Sequence, residues 1–172
     1  SSSSAQDAAA GTGVATVQIY GINSSTGVDQ NETIILTGQT AVNSNLTYSS
    51  VYRIICLTAG SASTTGKNIG VIYVGTGAVG SGVPALVWAT VAIGRNQTLM
   101  AVYTVPAGKT LYITDMSFSV GGAKGAEGVM YVKPLGELFQ VKALSHLAGG
   151  FDYIPFTFPL MLTAGTQIDM RA

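Results

Sequence analysis

Two glycine-rich stretches are the first places where residue type and spacing could support chemistry. Gly75-Thr-Gly-Ala-Val-Gly80 has the G-x-G-x-x-G spacing and follows an apolar run, as a dinucleotide-binding turn does. That chemistry needs a helix to begin at the turn and an acidic residue about 20 positions later for the ribose. Here Ser81-Gly-Val-Pro84 leads into another apolar run, and no Asp or Glu stands between Glu32 and Asp115. The stretch therefore reads as a glycine loop over residues 75–82. Residues 60–68, GSASTTGKN, look like a phosphate-binding loop, but the spacing is one residue too long. Asn68 also replaces the Ser or Thr that would hold magnesium.

Nucleophiles and ligands are scarce. Cys56 and His146 are the single thiol and the single imidazole, so one chain cannot build a His/Cys metal cage, and no intrachain disulfide can form. Cys56 sits inside VYRIICLT, where a small buried thiol is the ordinary reading, and His146 lies between leucines as a polar contact. Glycoside hydrolysis needs two carboxylates facing one cleft. Asp115, Glu127, Glu137, Asp152 and Asp169 are scattered, with Asp115 and Asp169 at similar offsets after two matching corners. No acidic cluster dense enough for calcium is present. Asn23, Asn31, Asn45 and Asn96 each open a glycosylation triplet, which a Ser/Thr-rich chain produces by chance. The expectation is no enzyme, no catalytic residues, no cofactor and no metal.

Composition bounds the remaining possibilities. Of 172 residues, 47% are hydrophobic and only 9% charged, with eight basic residues balancing eight acidic ones. An ordinary soluble domain carries roughly a quarter charged residues. No field steers such a chain to nucleic acid or to an anionic membrane, and a neutral, charge-poor surface favours self-association. No apolar run approaches the ~20 residues of a membrane helix, and residues 1–10 lack the basic start and apolar centre of a secretory signal.

The elements that must position any site read as strands. Residues 99–120, LMAVYTVPAGKTLYITDMSFSV, alternate, break at Pro106-Ala-Gly-Lys109 and alternate again, and residues 159–170 repeat the pattern around Ala164-Gly165. Residues 14–22 and 32–38 form a first hairpin, residues 51–58 are apolar on both faces, and strands follow at 69–74, 85–93 and 129–133. Residues 121–128, GGAKGAEG, read as a loop. Residues 138–147 read as a strand, and the run 151–158 crosses Pro155, which marks an edge or a bulge. Residues 1–13, SSSSAQDAAAGTG, are too poor in large apolar groups to offset the entropy of ordering. The fold expected is all-β: a mobile N-terminal arm (1–13) and one antiparallel β-sandwich of Greek-key or jelly-roll type (14–172).

Residues 96–110, NQTLMAVYTVPAGKT, together with LFQVK at 138–142 and GTQIDMRA at 165–172, resemble virion structural proteins of tailed phages. Residues 17–23 and 32–38 are similar to the first hairpin of that group. The resemblance implies a capsid decoration or cement protein, made in the host cytoplasm and seated on the capsid surface of the virion. Its partners would be the major capsid protein and copies of itself, often as a homotrimer. No catalytic residues carry over, and the acid-free stretch 33–114 and the Ser-rich arm depart from the pattern. Aromatic residues beside an edge proline can anchor such contacts, which points to Phe139, Phe151, Tyr153, Phe156 and Phe158 as interface residues. The alternative is a receptor- or carbohydrate-binding module of a tail fibre, head fibre or adhesin, with Tyr48, Tyr52, Trp88 or Tyr103 as stacking platforms.

Overall fold

Alternating apolar residues and frequent glycine corners give a computed structural model in which every regular element among the described residues, 1–121 and 125–171, is a β-strand. The strands are β1 (Val14–Asn23), β2 (Asp29–Ile35), β3 (Tyr48–Ala59), β4 (Ile72–Gly80), β5 (Val83–Val91), β6 (Val102–Thr104), β7 (Leu111–Val120), β8 (Ala126–Lys133), β9 (Gln140–Leu147), β10 (Gly150–Leu162) and β11 (Gln167–Arg171). All pairing between them is antiparallel, and none of the sheets closes into a barrel. Where one body over residues 14–172 was expected, the chain divides into two compact units: Ser1–Ser25 with Asp29–Met100, and Thr26–Val28 with Ala101–Ala172. Each unit gathers its own apolar cluster, so the chain builds two small cores instead of one.

The first unit holds a three-stranded sheet in the order β2-β1-β3 and the hairpin β4-β5. Val17 and Ile19 of β1, Ile34 of β2, Ile54 of β3, Ile72 of β4 and Val91 of β5 meet in its core. Fully burying each such side chain is worth roughly 1.5–3 kcal/mol, which is why the alternation fixes which face turns inward. The glycine loop expected at residues 75–82 is mostly strand. Val79 pairs with Pro84 and Gly80 with Val83, and the turn is only Ser81-Gly82, with φ of 49° and 81°. Two successive positive φ values are the signature of the tight hairpin turn whose twist matches its strands. The ladder is bulged twice without breaking off the hairpin, once at Trp88 of β5 and once in β4 between Thr76 and Val79, where Gly77 has a positive φ.

The stretch expected as an arm has defined contacts. Residues 1–13 are folded against the first unit, with Ser2 and Asp7 fully buried. Ser2 N–H donates to Gly38 O and Ser3 N–H to Val71 O, both at 2.9 Å, while Tyr73 N–H donates to Ser1 O at 2.9 Å. Both Asp7 carboxylate oxygens are buried acceptors: Oδ1 takes the N–H groups of Val14 and Ile69 at 3.0 Å each, and Oδ2 takes Ser2 Oγ–H at 2.6 Å and Gly70 N–H at 2.8 Å. The segment is held by backbone pairing and one carboxylate, not by large side chains. Farther along, Asn68 and Asn96 each accept the other's backbone N–H, at 3.1 and 3.0 Å. Residues 96–98 then run along β3, where Cys56 N–H donates to Asn96 O at 2.8 Å and Thr98 N–H to Ile54 O at 3.0 Å.

The second unit contains the four-stranded sheet β6-β11-β8-β9 and the pair β7-β10. Met116 of β7 and Leu162 of β10 share a core with Met130 and Val132 of β8 and Ile168 of β11. The two matching corners are present and adjoin. Gly108 and Gly165 have φ of 71° and 79°, Lys109 N–H closes on Pro106 O and Thr166 N–H on Thr163 O, and Val105 bonds to both Gly165 and Thr166. A third corner of the same kind closes from Glu137 N–H to Pro134 O around Gly136. In each the glycine supplies the positive φ at the third turn position. Pro155 marks a break as expected: pairing with β7 stops there and resumes at Leu160. Of the glycine-rich loop expected at residues 121–128, residues 122–124 lie outside the described residues, and Ala126 already begins β8.

Candidate interaction surface

Strand alternation and pairing decide where each candidate side chain lies. Cys56 on β3 is half-buried, and burial, with the Asp7 charge as a smaller cause, pushes its pKa up to about 12, so the thiol stays protonated and unreactive at neutral pH. His146 is exposed on β9 and faces Glu127 across the strand pair at 3.3 Å. Ser145, His146 and Asp152 have the residue types of a hydrolytic triad, yet alternation separates them. Ser145 is buried and its hydroxyl donates to Asp152, while His146 turns the other way to Glu127. The other carboxylates are engaged singly: Asp115 accepts from Thr114, Glu137 from Gln140, and Asp169 holds Arg171 at 2.5 Å. Asn68, which breaks the phosphate-loop pattern, is buried and donates to Gly70 O and Ala92 O. Among the described residues no group of three His, Cys, Asp or Glu side chains could hold a metal ion, and no helix is long and apolar enough to cross a membrane.

The aromatic residues fare differently. Along β10, Phe151 and Tyr153 alternate outward while Ile154, Phe156 and Leu160 pack on the core. Phe156, expected as a surface anchor, is half-buried and packs against the core, because the strand's period turns it inward. Phe158 stands out of the unpaired stretch after Pro155 and is 83% exposed, and Met161 faces Tyr112 of β7 across the pair. Phe151, Tyr153, Met161 and Tyr112 are all more than half exposed, and Asp115, opposite Pro155, is the single charge that β7 carries.

Phe139, just ahead of β9, belongs to a second cluster that spacing does not reveal. Its ring meets Tyr131 of β8 edge-on at 6.5 Å, Lys133 Nζ lies 5.6 Å from its centre, and the Arg171 guanidinium sits 5.0 Å from Tyr131 and 5.9 Å from Phe139. Only the strand order β11-β8-β9 brings residues 131, 139 and 171 together, so no linear motif could have found them. Of the stacking candidates, the Tyr48 hydroxyl is buried and, with the Glu32 charge, raised far above its ordinary pKa, while Tyr52 donates to Asp29 at 3.0 Å. Trp88 is exposed on β5 with its indole N–H on Thr76, and Tyr103 is exposed on β6. No protein-family model matches this chain, and no match is found among curated proteins or solved structures.

Proposed function

We propose that the protein is a structural component of a virion, a capsid decoration or cement protein that works by packing against the major capsid protein and against copies of itself. The observation that carries this reading is the aromatic band on the outer face of β10 and β7: Phe151, Tyr153, Phe158, Met161 and Tyr112. At roughly 100 Å² of exposed surface for each such side chain, the band offers on the order of 500 Å². That is comparable to the largest patch of a typical monomer, about 300–600 Å² and often functional, and a large part of the ~800 Å² a standard interface covers per partner. The near-absence of charge across it suits a like surface. The sandwich of Greek-key or jelly-roll type is part of the same proposal, supported by cores that draw side chains from two sheets in each unit. Placement on the capsid surface and synthesis in a host cytoplasm rest on the sequence resemblance alone.

The test is analytical ultracentrifugation of the purified chain, alone and with capsids stripped of decoration. The expected result is an oligomer that co-sediments with shells, and Phe151→Ser with Phe158→Ser should abolish both. A monomer that ignores capsids would refute the proposal. A second reading, a carbohydrate- or receptor-binding module of a fibre or adhesin, draws on exposed Trp88 and on the Phe139–Tyr131 rings beside the Arg171–Asp169 pair. Glycan-array binding lost in Trp88→Ala or Phe139→Ala would favour it.

A further inference from the structure

The second unit presents two different apolar surfaces. Its core draws Met116 and Leu162 from the pair β7-β10 and Met130, Val132 and Ile168 from the four-stranded sheet, so the outward faces of the two sheets look away from each other. One carries the band of Phe151, Tyr153, Met161 and Tyr112. The other is set by the pairing of β8 with β9. Met130 and its partner Ala143 point to the core, which turns Val129 with its partner Leu144, and Tyr131 with its partner Val141, to the outside. Phe139 joins them through its edge-on contact with Tyr131. Phe139, Val141 and Leu144, each about half exposed, thus form an uncharged stripe along β9, about 15 Å long at the usual rise.

We infer that the β10-β7 band of one copy docks on the β9 stripe of the next, so that copies of the chain associate head to tail through unlike surfaces. The inference rests on the proposed packing of copies against one another and adds which faces meet. Charge selects the pairing. Asp115, opposite Pro155 in the middle of the β7-β10 pair, is the acid of the band and is held only by the Thr114 hydroxyl. Lys133 borders the stripe, its ammonium 5.6 Å from the centre of the Phe139 ring, and has no carboxylate partner among the described residues. Band on band across a twofold axis would bring Asp115 towards its own copy, and stripe on stripe would do the same to Lys133. Band on stripe sets the acid towards the cation, and like charges brought together disfavour the other two arrangements. With on the order of 300 Å² from the stripe and about 500 Å² from the band, one contact covers roughly 800 Å², somewhat short of the ~1,000 Å² of a lasting interface. Each contact is therefore weak, roughly micromolar in Kd, and a chain that offers both surfaces gains strength by engaging two neighbours at once.

The test is sedimentation velocity of the full chain over a concentration series. Phe151→Ser with Phe158→Ser spoils the band, and Val141→Asp, at an exposed position of β9, spoils the stripe. Leu144→Ser is a milder change on the same stripe and should act in the same direction if Val141→Asp disturbs the fold. Each variant alone is expected to be a monomer. An equimolar mixture of band and stripe variants should form a dimer that grows no further, because one chain keeps its stripe and the other its band. Asp115→Lys should weaken assembly about fivefold, and adding Lys133→Asp to the same chain should restore it. Stripe variants that assemble as wild type does, a mixture that stays monomeric, or a double charge variant no tighter than Asp115→Lys would overturn the inference while leaving self-packing of the chain intact. A monomeric wild-type chain would overturn it together with the self-packing on which it rests.

Discussion

Replacing Asp7 by alanine should unfasten the first 13 residues from the first unit. The carboxylate is fully buried and accepts four hydrogen bonds, three from the backbone N–H groups of Val14, Ile69 and Gly70 and one from the Ser2 hydroxyl. A buried donor left without an acceptor costs about 1–3 kcal/mol, and the Ser2 hydroxyl can turn to another partner while the three N–H groups cannot. Water entering the vacated space returns part of that, so the net loss for Asp7→Ala should be about 3–5 kcal/mol. This is a large share of the roughly 5–15 kcal/mol by which a domain is stable, and it lowers Tm by upwards of about 12 °C for a unit of this size. Asp7→Asn keeps one acceptor oxygen but sets an amide NH2 against a donor, so it should fall between wild type and Asp7→Ala. The assay is urea unfolding followed by the fluorescence of Trp88, the single tryptophan, which lies in the first unit. A Trp88-detected transition for Asp7→Ala within about 0.5 kcal/mol of wild type, the range of inconsequential surface changes, would refute the reasoning. It would mean that these residues wave free in solution.

Further outcomes follow from three particular residues. Ser81 holds φ of 49° in the β4–β5 turn, so Ser81→Asn, which creates the favoured Asn-Gly pair, should add roughly 0.5–1 kcal/mol in the same urea assay. Cys56, with its pKa raised from 9.0 to about 12, should react with iodoacetamide at pH 8 on the order of a thousandfold more slowly in the native chain than in urea. Because the raised value disfavours the thiolate only in the folded state, its contribution to stability is intact below pH 9 and is lost as pH climbs from 9 towards 12. Asn68→Ala removes both side-chain donations and the acceptor for Asn96 N–H, and should cost about 2–4 kcal/mol by thermal unfolding.

The strands with a single buried face were legible because alternation is read directly from residues: β1, β7 and β9 carry it, and the corners at Gly108 and Gly165 are announced by their glycines. Residues 1–13 were not legible. Hydrophobicity is blind to a segment held by backbone hydrogen bonds and one carboxylate, and nothing in SSSSAQDAAAGTG tells Asp7 from a solvated acid. The run 75–80 reads as a loop because glycine marks turns, yet it also fits the bulges of a strand, and what decides is the pairing with β5, a non-local fact. The division into two cores depends on which strands pair, and the Tyr131–Phe139–Arg171 cluster on their order, so both lie beyond any window of local sequence. Of the five aromatic anchors, period two along β10 could have set Phe156 apart from Phe151 and Tyr153, had the strand's inward face been known.

The splint that residues 96–98 form along β3 bears on how such a chain stays well behaved when crowded. By occupying the Cys56 and Ile54 amides and the Ile54 carbonyl, and by being locked in turn to Asn68, it removes part of the bare rail on which identical molecules could zip together without limit. Growth into fibrils through that border is thereby discouraged, which matters most in a polypeptide with so few charges to keep its copies apart.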